Sequence, residues 1–332
     1  MNDESPRLAS IQRIRSLHPI PGADRILMAR VLGYSTVVKK DEFREGDLCV
    51  WHEPDTVVDA SNPAYGFLER QHFRLKIARF KGQPSQGLAL PLSALPAVGS
   101  VTEGEDVTAA VRLQKYEKPV PAEISGDAVG GLPLGLVRTD EPNLRSYPEA
   151  IDELRPHLCA VTLKLDGTSA TFAWDGTRLR VCGRNYEYRE SETHAFWRVA
   201  RELRLAEKLA ARSERLAFRG EVYGPGIQKN PVGVRQVGFA CFDIFHLEGR
   251  RYLDTAALHE LCRQLEVPTV PAITDEWRVA DVESCVQLAN ERKYPNGTPA
   301  EGIVIRPLSE MRSTVLPGGR LSVKVMNENY VE

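Results

Sequence analysis

The stretch Val161–Phe172, "VTLKLDGTSATF", decides how the chain is read. Its β-branched and apolar residues predict a β-strand, yet Lys164 stands in the middle and Asp166-Gly167 follows it. Burying an unpaired charge among apolar neighbours is costly, so a lysine there needs partners and a purpose. Side chains two apart on a strand share a face, which predicts Asp166 beside Lys164. Later strands carry the same signature of one charge among Val, Ile, Leu or Phe. These are Glu221 in "RGEVYG", Asp243 in "FACFDIF", Glu301 in "EGIVIRP" and Lys324 in "SVKVMN". The expectation is that they share one cleft.

Such a cleft would hold an amine able to act as a nucleophile, acids able to hold a divalent metal, and further cations for phosphates. A free lysine has a pKa of about 10.4, so its site must lower that value. Asp166 works in the opposite direction. The charge of a metal ion together with Lys324 or Arg306 would have to outweigh it, one reason to expect a divalent ion, Mg²⁺ or Mn²⁺, near the lysine.

Outside this region the chain reads as an ordinary globular protein. At 332 residues it suggests two domains, at roughly 100 to 200 residues each. Its 42% hydrophobic and 27% charged content excludes disordered and fibrous classes. A net charge of -2 means that any nucleic-acid surface must be a local basic patch. The six cysteines include no C-x-x-C pair, which predicts buried thiols, and the seven histidines form no zinc motif. No apolar run approaches the ~18 residues of a membrane span, and "MNDESPRLAS" lacks a signal-peptide core. A cytoplasmic location, with no membrane and no obligatory protein partner, is the default.

Residues 1–115 hold short β-rich runs such as "RILMARVLGYSTVVKK" and "GDLCVWHEPDTVV", the pattern of a small barrel. The run "HFRLKIARFKG" sets Arg74, Lys76, Arg79 and Lys81 with Phe73 and Phe80 on or beside one expected strand. Basic and aromatic residues interleaved in this way suit a phosphate backbone and its bases, although a charged edge strand would look the same. Residues 116–140, rich in Pro and Gly, are the expected linker. Residues 141–332 mix strands with amphipathic helices, at 191–212 and 254–267 for example, which predicts an α+β catalytic domain.

The opening "SLHPIPGADRILMARVLGY" resembles OB-fold nucleic-acid-binding modules. K-L-D-G at 164–167, Arg184 in "CGRN", "GEVYGPGIQ", "FACFDIF", "EGIVIRP" and "SVKVMN" together resemble, in order, the motifs of the covalent nucleotidyltransferases. That superfamily holds ATP-dependent DNA ligases, RNA ligases and capping guanylyltransferases. The resemblance implies an ATP-grasp-like domain of antiparallel sheets with helices. It also implies Lys164 as the nucleophile that takes AMP from ATP, with catalysis shared by Asp166, Glu301 and Lys324. By the same resemblance ATP would be bound by Leu163, Lys164, Gly167, Ser169, Arg184, Glu221, Phe242, Arg306 and Lys324. Phe242 would stack on adenine, and Glu221, Asp243 and Glu301 would organise the metal. Taken alone, Phe242 also fits a plain core strand, Glu221 with Arg219 a surface pair, and Asp243 a turn cap.

"GEVYGPGIQ" and "FACFDIF" look most like the T4-type second family of RNA ligases. Ser169, Arg306 and Met326 stand where that family often has Asn, Lys and Lys. An OB-like module before the catalytic domain, with only eight residues after Lys324, resembles the Deinococcus-type ATP-dependent RNA ligases. This implies sealing of 3′-OH/5′-phosphate nicks in duplex RNA or RNA/DNA hybrids, with RNA on the 3′-OH side. A DNA ligase, a capping enzyme and a non-catalytic OB-type RNA-binding protein are the alternatives.

Overall fold

The computed structural model describes residues 6–99, 102–116, 128–133, 135–136, 138 and 140–330. Most of the expected linker, 117–127 with 134, 137 and 139, therefore lies outside the described residues. The chain forms two compact units: Met1–Pro119 with Arg145–Pro148, and Val120–Leu144 with Glu149–Glu332.

The first unit is built of short antiparallel strands: β1 (Ala9–Arg13), β2 (Ser16–Pro19), β3 (Ile26–Val31), β4 (Tyr34–Lys39), β5 (Leu48–His52), β6 (Thr56–Val57), β7 (Arg74–Leu75), β8 (Ala78–Phe80), β9 (Gln83–Ser85), β10 (Leu88–Pro91) and β11 (Gln114–Lys115). They pair as β1-β5-β10, β2-β3-β4, β11-β6-β7 and β8-β9. Inward residues Ile11, Val50, Tyr65 and Leu75 pack one core, while Tyr34 and Trp51 stack in another with ring centroids 5.1 Å apart. Arg145 is fully buried in this unit, donates to Gln86 Oε1 at 3.2 Å and lies over the Tyr34 ring. The one strand expected across "HFRLKIARFKG" is in fact two, β7 and β8, in different sheets. His72 and Phe73 enter the left-handed region just before β7, and the chain reverses at Lys81-Gly82.

The second unit carries β12 (Ala128–Gly131), β13 (Cys159–Lys164), β14 (Thr168–Trp174), β15 (Leu179–Cys182), β16 (Tyr186–Tyr188), β17 (Leu216–Tyr223), β18 (Gly238–His246), β19 (Arg251–Tyr252), β20 (Ala272–Trp277), β21 (Gly302–Pro307) and β22 (Val323–Met326). One sheet has the order β12-β16-β15-β14-β17-β18-β19 and the other β20-β13-β21-β22, all antiparallel. Helices Ala195–Glu202, Leu205–Ala210 and Thr255–Gln264 cover the larger sheet, burying Phe172, Phe218, Phe239, Leu209 and Leu261. Each such side chain contributes roughly 1.5–3 kcal/mol by leaving water. The single helix expected over 191–212 breaks at Arg204, whose φ of 53° starts a second helix that turns Leu205 and Leu209 into the core.

A further cluster joins the two sheets: Leu163 and Leu165 meet Ala240, Val270, Tyr294 and Tyr330, with Phe242 packed against them. All six cysteines are free and buried.

Candidate active site

Lys164 is the last residue of β13, a central strand flanked by β20 and β21. Val161 and Leu163 point into the core, which leaves Thr162 and Lys164 half-buried on the opposite face. The register carries this face across the sheet: Ala160 lies opposite Arg306, Thr162 opposite Val304, Lys164 opposite Gly302, and Val304 opposite Lys324. Directly paired residues share a face, so Lys164, Arg306 and Lys324 project from one side of this sheet. In the larger sheet, Ser169, Glu221 and Ala240 are likewise in line across β14, β17 and β18.

Two glycines let the strands close on this site. A Cβ on Gly167 would lie 2.3 Å from the Val222 carbonyl oxygen, and one on Gly302 2.2 Å from that of Val325. No side chain fits at either place.

Lys164 Nζ donates to Glu301 Oε2 at 2.6 Å. Desolvation alone would push this amine down, but Glu301 and Glu221 outweigh it and hold it above its ordinary value. The sequence reading assigned that upward pull to Asp166; in the structure Glu301 and Glu221 supply it. β13 ends at Lys164, and Asp166 lies beyond it, where its carboxylate accepts from the Tyr330 hydroxyl. Desolvation pushes the Glu221 carboxyl up to about 8; Lys164 opposes this, and Glu301 and Asp166 add to it.

A hydroxyl that the sequence reading missed ties the cluster together. Tyr294, 2% exposed, donates to the Lys164 carbonyl at 2.9 Å. It also accepts from the backbone N–H of Asp166 at 2.9 Å and of Glu301 at 3.1 Å. One phenol thus sets the end of the lysine strand against the start of β21. Gln228 Nε2 donates to the Gly167 carbonyl at 3.1 Å.

Asp243 belongs to a different cluster. Its oxygens accept from Arg306 at 2.8 Å and from Arg320 at 2.8 and 2.7 Å, and Arg320 also reaches Glu310 and the Tyr252 ring. Burial raises the Asp243 carboxyl, yet Arg320 and Arg306 outweigh it and hold it at about 2. Arg306 is further spent on the Phe242 carbonyl at 2.6 Å and on Glu141 at 3.4 Å. Metal and phosphate are the roles expected for Asp243 and Arg306; here each already compensates the other's charge.

Phe242 is the unpaired residue of a β-bulge: Gly220 faces Cys241 and Arg219 faces Asp243, which leaves Phe242 between them. A bulge re-aims a side chain. Phe242 lines a pocket with Ala160, Thr162, His259, Arg306 and Glu310. The Leu163 N–H donates to the Pro271 carbonyl, and Arg184 pairs with Asp140 at 2.6 Å. The Lys324 N–H donates to the Pro142 carbonyl, fixing residues before Asn143 along β22.

Of the four basic residues expected to meet nucleic acid, Arg74 is tied down by an ion pair with Asp55 and by the Tyr116 ring, 3.4 Å away. Lys76, Arg79 and Lys81 are exposed.

No group of three or more acids, cysteines or histidines forms a metal cage among the described residues. A hard cation bound largely through substrate phosphates needs only one or two carboxylates, and Glu221 beside Glu301 supplies them. Burial, with Glu301 and Asp166 close by, raises the Glu221 carboxyl, and a cation held by the two glutamates would oppose that rise, so the donor set fits such an ion.

The comparisons with known proteins give the family. A family profile described as RNA ligase matches residues 158–326, and one described as an OB-fold domain matches residues 8–92. An RNA ligase of Naegleria gruberi, solved with PPi, superposes with a TM-score of 0.83 at 31% identity, covering 97% of each chain. A lysine-to-methionine variant of that ligase, solved with AMP and Mn, gives 0.84 at 31% identity and 97% of each chain. A lysine-to-alanine variant with ATP and Mn gives 0.83 at 31% identity, over 96% of this chain and 97% of the other. No curated protein matches the chain at a significant level. With a lysine at the end of a central strand of one antiparallel sheet, an OB-fold domain before it and a likeness that runs nearly end to end, the chain belongs to the RNA ligase family.

Proposed function

We propose that this RNA ligase uses ATP and a divalent metal to seal 3′-OH/5′-phosphate nicks in duplexes that carry RNA on the 3′-OH side. Lys164, paired with Glu301 on a central strand, is the observation that carries the reading. Lys164 Nζ attacks the α-phosphate of ATP; the N–P bond forms, the bond to the β-phosphate oxygen breaks, and pyrophosphate leaves. AMP then passes from the lysine to the 5′-phosphate end, restoring the amine. The 3′-hydroxyl attacks that activated phosphate and AMP departs. Each step is in-line phosphoryl chemistry, in which positioning and charge stabilisation dominate.

The chain's own groups have definable tasks. Glu301 Oε2, 2.6 Å from Nζ, aims the amine and receives its proton as the nucleophile forms. Tyr294 keeps Lys164 in register with Glu301. Lys324, on the same face of the sheet as Lys164, supplies positive charge to the α-phosphate. Phe242 offers a ring face for the base, and Ser169 and Arg184 stand for ribose or phosphate contacts. Glu221 and Glu301 would hold a Mg²⁺ or Mn²⁺ ion, which would supply charge that offsets phosphate and carboxylate repulsion. The first unit holds the nucleic acid.

The test is incubation with α-³²P-labelled ATP or GTP and metal, followed by a denaturing gel. Label from ATP on the wild type and none on Lys164→Ala supports the reading; label from GTP alone points to capping chemistry. Nicked duplexes with RNA or DNA on the 3′-OH side then test the substrate, and equal sealing of both sinks the RNA requirement.

A further inference from the structure

The eight consecutive residues Lys76–Gln83 are all exposed. They hold most of a hairpin in which Ala78 pairs with Ser85, Arg79 with Pro84 and Phe80 with Gln83. Lys81 and Gly82 at its turn both have positive φ, 50° and 82°, the combination of a tight two-residue turn matched to strand twist. Arg79 braces the turn by donating to the Gly82 carbonyl at 3.2 Å. The base is anchored: buried Ser85 Oγ accepts from the Val37 N–H at 3.0 Å, and the Gln86 N–H donates to the Ser35 carbonyl at 2.7 Å. The result is a short finger with a fixed root.

Two properties of its surface set it apart. Ile77 is 49% exposed and Phe80 41%. Lys76, Arg79 and Lys81 have no carboxylate partner among the described residues, in contrast to Arg74, which is paired with Asp55. Three uncompensated cations around an exposed ring suit a polyanion that also offers flat apolar faces, which is a nucleic acid. On a strand, neighbouring residues point to opposite faces, so Arg79 and Phe80 address different parts of the ligand.

We propose that Phe80 covers the open base step where a strand is interrupted, while Lys76, Arg79 and Lys81 hold the flanking phosphates. The inference rests on the nick-sealing reading above and adds how the break is recognised. An intact duplex keeps its bases stacked and shows the finger only phosphates. A break removes the backbone across one step and lowers the cost of exposing a base face to the ring.

The test compares binding of the full chain to a nicked duplex and to its intact counterpart over a range of salt. Phe80→Ala should lose about tenfold on the nicked duplex, change little on the intact one, and leave the salt slope as it was. Phe80→Trp should keep the preference. The triple change of Lys76, Arg79 and Lys81 to Ala should weaken both and make the slope shallower, by ~0.9 for each phosphate that is no longer neutralised. A wild type that prefers nicked duplex and a Phe80→Ala variant with the same preference overturn the proposal alone. A wild type with no preference overturns it together with the nick reading.

Discussion

At the scale of single residues, the site depends on a few polar atoms at fixed distances. Tyr294→Phe removes only a hydroxyl, yet it takes away one bond each from the N–H groups of Asp166 and Glu301 and from the carbonyl of Lys164. A typical hydrogen bond contributes about 0.5–1.5 kcal/mol net. The expected outcome is a slower adenylylation rate, about tenfold, with the KM for ATP little changed, read by single-turnover labelling; an unchanged rate would remove the positioning role. Asp243→Asn should instead act on stability, because it removes the buried carboxylate shared by Arg306 and Arg320 and leaves them only the less buried Glu141 and Glu310. Breaking a buried pair costs about 3–5 kcal/mol, which denaturant melts will show. The sign with pH follows from the depressed carboxyl. Its contribution is present above the unfolded carboxylate pKa, about 3.9, and disappears as pH falls through about 2 in the folded state. The stability gap between wild type and Asp243→Asn should therefore narrow below pH 4. The residue types of both clusters were legible in the sequence, but their partition was not. Asp243 and Glu301 look alike as lone acids in apolar strands, and only the positions of Arg306, Arg320 and Lys164 separate them.

Elements explain how the clusters are delivered. Lys164 is held by a strand paired on both sides, a stiff support for a group that must be aimed. Gly167→Ala should disrupt that delivery, since its Cβ would lie 2.3 Å from a backbone oxygen that cannot move without shifting β17. Loss of most ATP labelling and a lowered melting temperature are expected; full activity would mean that the two strands can separate cheaply. Strands and most helices were readable from periodicity because burial imposes it. The bulge at Phe242, the helix break at Arg204 and the hairpin after β7 were not. Each depends on which neighbour the segment packs against, information that no local window contains.

For the whole molecule, the two units can be separated experimentally. A fragment of residues 120–332 retains Asp140, Glu141 and Pro142, whose bonds to Arg184, Arg306 and Lys324 lie within the second unit. It should form the lysyl-AMP adduct at a rate near that of the full chain and seal nicks far more slowly. Equal sealing, measured on the same substrate, would remove the nucleic-acid role from the first unit. The sequence by itself determined the class of chemistry, because its lysine, its acids and the apolar strands that carry them stand in the order of the motifs they resemble. It also announced a β-rich unit ahead of the α+β one, because alternation and turn residues are local properties. The tertiary structure alone decided which acid meets which base, and it brought in Tyr294, Tyr330 and Arg320, whose sequence surroundings are ordinary. Pairings across 128, 164 and 77 positions are set by sheet register and core packing, which are properties of the folded chain as a whole.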